Sequence, residues 1–447
     1  MAGGLVLLIV PVPGAAQDPL PPLEDERPNI LLIVTDDQRA TGTLGVMPET
    51  RRIFGRKGLH FPNAYATTPL CCPSRASILT GQYVHNHGLE TNSDSDLPQE
   101  RTLQRYLDQA GYETAIFGKY LNGWTLDRNP PHFDEWAIFA KSADAYYGGQ
   151  WNVNGQVQSV PTYATNFIRN QALQFTVKTL VPPRPWFLIL TPPAPHAPYQ
   201  PESRYYNAPV PKWDPPPSVY ERDRSDKPPF FRRNHSDLTK ARNIRRKQLR
   251  TLMSVDDMVE AIFDTLKTTG QADNTFAIFL SDNGYLWNEH GLIGSVLSKN
   301  NPYRESIRVP LFLRWPGHFP PGLNDPRLVA TIDILPTILD ALEIDPSHPL
   351  DGRSLLDHWT RDRMLVEYHA GARELAGDWA SSVTHRSIYT EYYGDDGSVG
   401  FSEYYDLIDD PWQLENRFGS DGFPDAEDPA VATELTSDRV CVGSSCP

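Results

Sequence analysis

The stretch NILLIVTDDQ, at positions 29–38, decides the fold of this chain. The five consecutive apolar residues from Ile30 to Val34 leave no polar face, a pattern typical of a strand buried on both sides in a parallel sheet. Asp36 and Asp37 follow at once. The sequence therefore predicts a buried strand over Asn29–Val34 with two carboxylates at its carboxyl end.

Similar short apolar runs recur along the chain, and segments with helical spacing separate them. Further strands are predicted at Glu113–Phe117, Trp186–Leu190, Thr275–Leu280 and Val309–Arg314, and helices at Arg101–Ala110, Leu249–Leu266 and Asp333–Leu342. This alternation predicts an α/β fold with a mostly parallel central sheet flanked by helices. After about residue 350, the short apolar segments Arg363–Tyr368, Arg386–Tyr393 and Glu403–Leu407 predict a smaller antiparallel sheet.

The ends of the chain suggest export. Leu5–Val10 is apolar, and Ala15-Ala16 offers a small-residue cleavage site, so residues 1–16 are interpreted as a signal peptide. A large domain over 28–350, a small subdomain over 351–430 and a tail over 431–447 are expected to follow. No other apolar run approaches the ~20 residues that span a bilayer. We therefore expect a secreted or extracytoplasmic protein without a membrane partner.

Charge and cysteine content narrow the function further. The formal net charge of −15 argues against nucleic-acid binding, because such a surface repels phosphate backbones. It does not exclude an anionic substrate, because a local basic pocket can outweigh a distant net charge. The four cysteines allow three pairings. Cys441 and Cys446 would close a small loop in the tail, whereas Cys71 and Cys72 could be thiols or could pair with the tail.

Polar side chains follow four of the predicted strands. Asp36 and Asp37 follow the first, and Lys119, His196 and the pair Asp282-Asn283 follow three others. Because ligands bind at the carboxyl ends of strands in open α/β sheets, these residues are expected to meet at one edge. Three carboxylates and an amide would repel one another without a cation, and calcium tolerates such mixed oxygen ligands.

The segment TPLCCPSRASILTG, at positions 68–81, contributes a second group. Pro73 and Ser74 suit the first turn of a helix that runs to about Leu79. Cys71 then lies at the helix N-terminus, where backbone N–H groups favour anions, and Arg75 lies on the same face one turn later.

These residues carry a resemblance to a known family. The string Cys71-Cys72-Pro73-Ser74-Arg75, followed by Ala76–Gly81, resembles the signature of type I (formylglycine-dependent) sulfatases of the alkaline-phosphatase superfamily. The resemblance extends in order through the segments at 29–37, 118–119, 196, 281–284, 305–310, 315–317, 350–355 and 405–407. The branch that it resembles most is that of the N-acetylglucosamine-6-sulfatases.

The resemblance implies roles residue by residue. A separate formylglycine-generating enzyme would oxidise Cys71 to formylglycine during maturation. The modified Cys71 would complete a Ca²⁺ site whose other ligands are Asp36, Asp37, Asp282 and Asn283. Arg75 and Lys119 would hold the formylglycine and the sulfate, and Lys299 would be the second sulfate-binding lysine. His196 would hydrogen-bond and help to protonate the leaving oxygen. One hydroxyl of the hydrated aldehyde would attack sulfur and the other would expel sulfate.

One position departs from the family pattern. Many members carry a histidine shortly after the lysine that Lys119 matches, whereas Asn122 stands in this region of the chain. An amide is no base near neutral pH, so the base for sulfate release is unassigned. His85, His87 and His290 are candidates for a base or a substrate contact, and Asn122 is a further candidate for a substrate contact.

The sequence thus predicts a hydrolase that removes sulfate from a monoester, with a sulfated sugar such as 6-sulfated N-acetylglucosamine as the favoured substrate class. A broad arylsulfatase, a phosphodiesterase or phosphonate hydrolase of the same superfamily, and a binding protein on an inactive scaffold are the alternatives. A basic stretch, which contains Arg232, Arg233, Lys240, Arg242, Arg245, Arg246, Lys247 and Arg250, favours a solvated helix face over contact with a sulfated polymer.

Overall fold

The computed structural model describes residues 27–93, 96–141, 146–233, 236–294, 296–370, 377–422 and 429–447. The predicted signal peptide at 1–16 lies outside these described residues. The predicted domain boundaries near 350 and 430 stay predictions.

The first predicted strand is the centre of the molecule. Strand β1 (Asn29–Thr35) is buried along its whole length. Ile30 and Leu32 face one layer of the core, and Leu31 and Ile33 face the other. Because side chains alternate across a strand, an unbroken apolar run satisfies two buried faces at once. This is the physical reason for the composition of the stretch.

A ten-stranded mixed sheet surrounds β1, in the order β11-β2-β10-β9-β1-β8-β4-β5-β6-β7. The five central strands from β9 to β5 run parallel, and the neighbours at both ends include antiparallel strands. A two-stranded sheet pairs β3 with β12, and a four-stranded antiparallel sheet contains β13 to β16.

The strands have the following bounds: β1 (Asn29–Thr35), β2 (Leu59–His60), β3 (Asn63–Tyr65), β4 (Glu113–Lys119), β5 (Glu135–Phe139), β6 (Gln150–Val153), β7 (Gln156–Ser159), β8 (Trp186–Thr191), β9 (Thr275–Ser281), β10 (Leu311–Arg314), β11 (Leu323–Asn324), β12 (Leu328–Ala330), β13 (Arg363–Tyr368), β14 (Asp378–Thr384), β15 (Ser387–Tyr393) and β16 (Val399–Asp406).

Helices cover both faces of the central sheet. The longer ones are α1 (Cys71–Thr80), α2 (Leu103–Gln109), α3 (Ala164–Lys178), α4 (Leu238–Thr268), α5 (Ile334–Ala341) and α6 (Pro429–Asp438). Helical turns of three or four residues occur at Pro48–Thr50, Val84–His87, Pro229–Arg232 and Arg304–Ile307, and a π-helical turn at Arg51–Gly55. Helices α1, α2 and α5 pack on one face, and α3 and α4 on the other.

The predicted fold class is confirmed: the central sheet is mostly parallel and the second sheet is antiparallel. Several elements differ from the prediction. Helix α4 begins at Leu238, eleven residues before the predicted start, because its first turns are mostly polar and the apolar spacing begins later. Strand β10 runs antiparallel to β9. Strands β5 to β7 and helix α3 were missed, because they have mixed polar patterns rather than a continuous apolar run.

The small antiparallel sheet is attached through buried polar groups. The Glu403 carboxylate accepts hydrogen bonds from the hydroxyls of Tyr303, Tyr392 and Tyr405 at 3.0, 2.6 and 2.6 Å. In the tail, Cys441 and Cys446 form a disulfide. Cys71 and Cys72, at the start of α1, are buried thiols. Across the described part of the chain, every helix is too short or too polar to span a membrane.

Arg361 and Asp333 form a buried ion pair that should contribute to the stability of the fold. The guanidinium of Arg361 donates two hydrogen bonds to the Asp333 carboxylate, at 2.7 and 2.8 Å, and neither side chain is exposed. Arg361→Ala leaves this carboxylate without its counter-charge, so the free energy of unfolding should fall by about 3–5 kcal/mol in denaturant titrations. Arg105→Ala is the control, because its partner Glu100 is 72% exposed and water screens the pair, so this variant should lose much less stability than Arg361→Ala. Equal losses in the two variants would contradict this account.

Candidate active site

The carboxyl ends of four adjacent parallel strands place the predicted polar residues at one edge of the sheet. Asp36 and Asp37 follow β1, and Asp282 and Asn283 follow β9, its parallel neighbour. Lys119 is the last residue of β4, and the loop after β8 carries His196. The predicted convergence of these residues at one sheet edge is thus what the structure contains.

A close backbone approach brings Lys119 into place. Gly118 has a φ of 124°, and a Cβ at this position would lie 2.1 Å from the carbonyl oxygen of Thr191 in β8. A side chain here would push β4 and β8 apart just before Lys119. The glycine therefore lets the two strands deliver Lys119 and the His196 loop to the same pocket.

Cys71 begins helix α1, as predicted, and Leu70 before it is in an extended conformation. Its Sγ atom lies 3.0 Å from Lys299 Nζ and 3.5 Å from Asp36 Oδ1. Ser74 on the same helix donates its hydroxyl to the backbone carbonyl of Asp282. This bond ties the start of α1 to the loop after β9.

Three buried cations hold the three carboxylates together. Arg75 Nε donates to Asp282 Oδ2 at 2.9 Å. Lys119 Nζ donates to Asp36 Oδ2 at 2.8 Å, and Lys299 Nζ donates to Asp37 Oδ1 at 2.8 Å. Arg75 Nη1 also donates to the Lys119 carbonyl, so the basic residues are linked to one another. The site is therefore a compact network of ion pairs whose side chains have almost no exposed surface.

Burial and neighbouring charges shift the pKa values of these groups in different directions. Burial raises the pKa of Asp36, but Lys119, His196, Arg75 and Lys299 together hold it well below its usual range. Burial and the charge of Asp36 raise the pKa of Asp282 to about 6. Burial likewise raises the pKa of the Cys71 thiol to about 12, although Lys119 and Lys299 oppose this shift. An unmodified Cys71 would therefore be a neutral thiol near pH 7.

His196 faces the same pocket from the loop after β8. Its Nδ1 atom donates to the Ala197 carbonyl at 2.7 Å, and its Nε2 atom lies 3.8 Å from Asp37 Oδ2. Burial lowers the pKa of His196, and the carboxylates of Asp36 and Asp37 oppose this shift. The bond at Nδ1 fixes the tautomer, so Nε2 is the atom that can exchange a proton within the pocket.

The donor set fits a cation. Ligand atoms of Asp36, Asp37, Cys71 and His196 all lie within 4.8 Å of one another. Asn283 Nδ2 donates to Asp37 Oδ1 at 2.8 Å, whereas its Oδ1 atom is buried and has no hydrogen-bond partner among the described residues. A buried amide oxygen without a donor is costly, and a hard cation would satisfy it.

The arrangement differs from the predicted ligand set in two respects. His196 is within the close group, and a histidine nitrogen is not a ligand that Ca²⁺ favours. Asp282 Oδ1 accepts hydrogen bonds from the backbone N–H groups of Asp37 and Asn283, at 3.1 and 2.9 Å.

The backbone of Asp37 has a φ of 69°, a left-handed conformation that aspartate tolerates and that often accompanies functional sites.

The three histidines considered as bases are bound elsewhere. His85 Nδ1 donates to Glu367 and its Nε2 to the Cys441 carbonyl, both at 2.9 Å. The His87 ring contacts Ser77 Oγ and accepts from the Leu89 backbone, and burial lowers its pKa to about 3. His290 Nδ1 lies 2.8 Å from Glu221, and its ring stacks on Tyr303. Each of the three rings is therefore held by partners other than the residues around Cys71.

Asn122, the other predicted substrate contact, has a buried Oδ1 atom without a hydrogen-bond partner in the described part of the chain. Its backbone and that of Gly123 lie beside the Cys72 thiol. The backbone of Asn122 is thus adjacent to Cys72, the residue next to Cys71.

One residue that holds the site was missed in the sequence. The Tyr146 hydroxyl donates to the carbonyls of His196 and Pro193, at 2.7 and 3.1 Å, and so fixes the loop that carries His196. Fifty residues separate Tyr146 from His196, and no local pattern indicates the contact. Ser74 was recognised only as a helix-starting residue, and its bond to Asp282 was not foreseen.

Comparison with known proteins agrees with this geometry. The family profile described as "Sulfatase" matches residues 28–344, and one described as "N-sulphoglucosamine sulphohydrolase, C-terminal" matches residues 289–436. Human N-acetylglucosamine-6-sulfatase is 30% identical over 453 residues, which cover 87% of this chain and 81% of that protein. A putative extracellular sulfatase Sulf-1 homolog from Caenorhabditis elegans is 34% identical over 358 residues, 74% of this chain.

The chain spans 49% of that nematode relative and 35% of an extracellular sulfatase SULF-1 homolog from Drosophila melanogaster. A solved structure, described as a complex with its substrate D-glucosamine-2-N,6-O-disulfate, superposes with a TM-score of 0.79 at 24% identity, covering 92% of this chain and 96% of that one. A phosphonate monoester hydrolase from Agrobacterium radiobacter superposes with a TM-score of 0.69 at 22% identity, covering 92% and 94%. With one profile matching most of its length, the chain belongs to the sulfatase family.

Proposed function

We propose that this protein hydrolyses a sulfate monoester, and that Cys71 is the residue converted to formylglycine for this purpose. The observation that carries the proposal is the position of Cys71 Sγ, 3.0 Å from Lys299 Nζ and 3.5 Å from Asp36 Oδ1, at the N-terminus of helix α1. An anion bound beside this atom would meet the cationic side chains of Arg75, Lys119 and Lys299.

The electrostatics of Cys71 support a modified side chain. With a pKa of about 12, the thiol would be almost entirely protonated near neutral pH and a weak nucleophile. Formylglycine at this position would supply a hydrated aldehyde as the nucleophile instead. Its maturation would require a formylglycine-generating enzyme as a transient partner.

We further propose that Asp36, Asp37, Asp282 and Asn283 hold Ca²⁺, with position 71 completing the site. The three carboxylates and the three cations of the pocket cancel in formal charge, so a divalent cation would make the site net positive. Calcium would supply charge that stabilises the sulfate oxygens and the nucleophile. The unpartnered Asn283 Oδ1 supports its presence, since this atom needs a hard cation or a donor.

The remaining side chains have distinct roles in this proposal. Arg75, Lys119 and Lys299 bind the sulfate oxygens, where negative charge grows as the ester bond breaks. The lysine ammonium groups can do so while they keep their bonds to Asp36 and Asp37, because each has three N–H donors. His196 Nε2 faces the pocket, and when it is protonated it can give its proton to the leaving oxygen of the ester. Nδ1 remains bonded to the Ala197 carbonyl.

The favoured substrate is a sulfated sugar such as 6-sulfated N-acetylglucosamine. The relatives named N-acetylglucosamine-6-sulfatase support this class. The phosphonate monoester hydrolases among the similar structures keep phosphonate esters as a second candidate, because their fold is closely related. A secreted or extracytoplasmic location accords with the disulfide between Cys441 and Cys446.

Peptide mass analysis tests the modification. In protein co-expressed with a formylglycine-generating enzyme, the peptide with Cys71 should be about 18 Da lighter than the cysteine form, because CH₂SH is replaced by CHO. Cys71→Ser should abolish both the mass change and sulfate release. Cys72→Ser is the matched control, since the Cys72 thiol lies beside backbone groups of Asn122 and Gly123, and this variant should keep both the mass change and sulfate release. Active protein with an unmodified thiol at position 71 would refute the mechanism.

Calcium binding can be measured without activity. Calcium at a hundredfold excess over its Kd should raise the free energy of unfolding by about 2.7 kcal/mol, because the ion binds only the folded state. Asp37→Asn should weaken this binding at least about tenfold, since it removes a charge but tolerates the left-handed backbone. Asp256→Asn, a buried carboxylate bonded to the backbone of Glu49 and Thr50, should leave the calcium response intact. An identical response in Asp37→Asn and wild type would count against the site.

Lys299 provides a test of sulfate stabilisation. Lys299→Met should lower kcat about 10²–10³-fold, because it removes a donor aimed at the position where charge develops. Lys57→Met, at an exposed position, should leave kcat near the wild-type value. Steady-state sulfate release measures both variants, and an unchanged kcat in Lys299→Met would show that this lysine has no such role.

A further inference from the structure

The residues of the basic stretch differ in their contacts in the structure. Some of its arginines are engaged with the protein: Arg232 donates to the carbonyls of Lys227 and Ser420, Arg245 to Pro211, and Arg250 to Ala208. Arg245 also lies over the rings of Trp213 and Trp287. Backbone carbonyls therefore occupy N–H donors of these three side chains, which leaves fewer donors for a ligand.

Lys240 and Lys247 behave differently. Both are exposed, and neither forms an ion pair or a side-chain hydrogen bond within the described part of the chain. They lie on the same face of helix α4 as Asn243 and Ile244, because residues spaced three and four positions apart align on one side of a helix. The helical rise over seven residues separates the Cα atoms of the two lysines by roughly 10 Å along the axis.

This face of α4 forms one wall of an open cleft of about 470 Å³. The cleft is lined by Tyr199, Asp237, Thr239, Lys240, Asn243, Ile244 and Lys247. Asp237 is the one acid in this lining, and its carboxylate already accepts the backbone N–H of Lys240 as the helix cap. The lining therefore carries two positive charges against one negative charge, in a chain whose net charge is −15.

One residue of the lining, Tyr199, belongs to the loop that carries His196 in the candidate active site. Tyr199 lies three residues after His196, and its hydroxyl is 2.6 Å from the hydroxyl of Tyr285, which follows Asn283 by two residues. Lys240 Nζ lies 3.7 Å from the position that a Cβ would occupy at Gly294. Gly294 is hydrogen-bonded to Ser298, the residue before Lys299. The cleft is thus continuous with the loops that carry His196 and Lys299.

We propose that this cleft is a subsite for the inner, anionic sugars of an oligosaccharide whose terminal sulfate occupies the active site. Lys240 and Lys247 would bind carboxylate or sulfate groups on those sugars, Asn243 would offer an amide to their hydroxyls, and Tyr199 would line the path between the two sites. The inference rests on the proposed sulfatase activity and adds a preference for polyanionic chains over single sugars.

The test compares two substrates with the calcium-loaded, formylglycine-containing enzyme. One is N-acetylglucosamine 6-sulfate, and the other is a tetrasaccharide that ends in the same sugar and carries carboxylates and sulfates on its inner sugars. The readout is the ratio of kcat/KM for the tetrasaccharide to kcat/KM for the monosaccharide. Lys240→Glu/Lys247→Glu is compared with Arg242→Glu/Arg246→Glu, which makes the same charge change at two exposed positions of α4 outside the cleft lining.

In wild type the ratio should exceed one and fall as ionic strength rises, because salt screens the lysine charges. Lys240→Glu/Lys247→Glu should lower the ratio at least about tenfold, mainly through KM for the tetrasaccharide. Arg242→Glu/Arg246→Glu should leave it near the wild-type value. A wild-type ratio near one, an unchanged ratio in the lysine variant, or equal falls in both variants would overturn the subsite. Absence of sulfate release from both substrates in wild type would instead overturn the proposed function, and this inference with it.

Discussion

Asp36, Asp37 and Asp282 are three carboxylates buried together at the carboxyl edge of the central sheet, and their mutual repulsion has to be offset. Arg75 from helix α1, Lys119 from strand β4 and Lys299 from the loop beyond β9 each contribute an ion pair. Every one of these cations comes from a different segment, so the charge requirement links the helix, the strands and the loop into one rigid arrangement. Removing any single partner would leave an uncompensated buried charge, which is far more costly than the loss of a surface ion pair.

The same balance explains how one pocket can hold both a cation and an anion. Without a metal, the carboxylates and the basic groups cancel, and the Asn283 oxygen lacks a partner among the described residues. A divalent cation would satisfy that oxygen and leave the basic side chains with positive charge available for a sulfate. Around this centre, His196 is fixed by Tyr146 and by its own bond to Ala197, so its Nε2 atom has a defined direction.

The sequence anticipated the elements that depend on local pattern. An unbroken apolar run predicted β1, and the polar residues after four such runs predicted the active edge, because the ends of parallel strands must meet. The partners of His85 and His87 could not be foreseen, since His85 binds Glu367 almost three hundred residues away. Strands β5 to β7 have polar positions that mask their period. Lys240 and Lys247 were recognised only as part of a basic stretch, because a helix pattern does not show which face meets an active-site loop.

The central claim is that this charged edge cleaves sulfate esters in preference to phosphate esters. Its most direct test measures initial rates of sulfate release from N-acetylglucosamine 6-sulfate and of phosphate release from N-acetylglucosamine 6-phosphate, with the same calcium-loaded, formylglycine-containing protein. The account predicts that sulfate release is the faster reaction. A faster release of phosphate would contradict it.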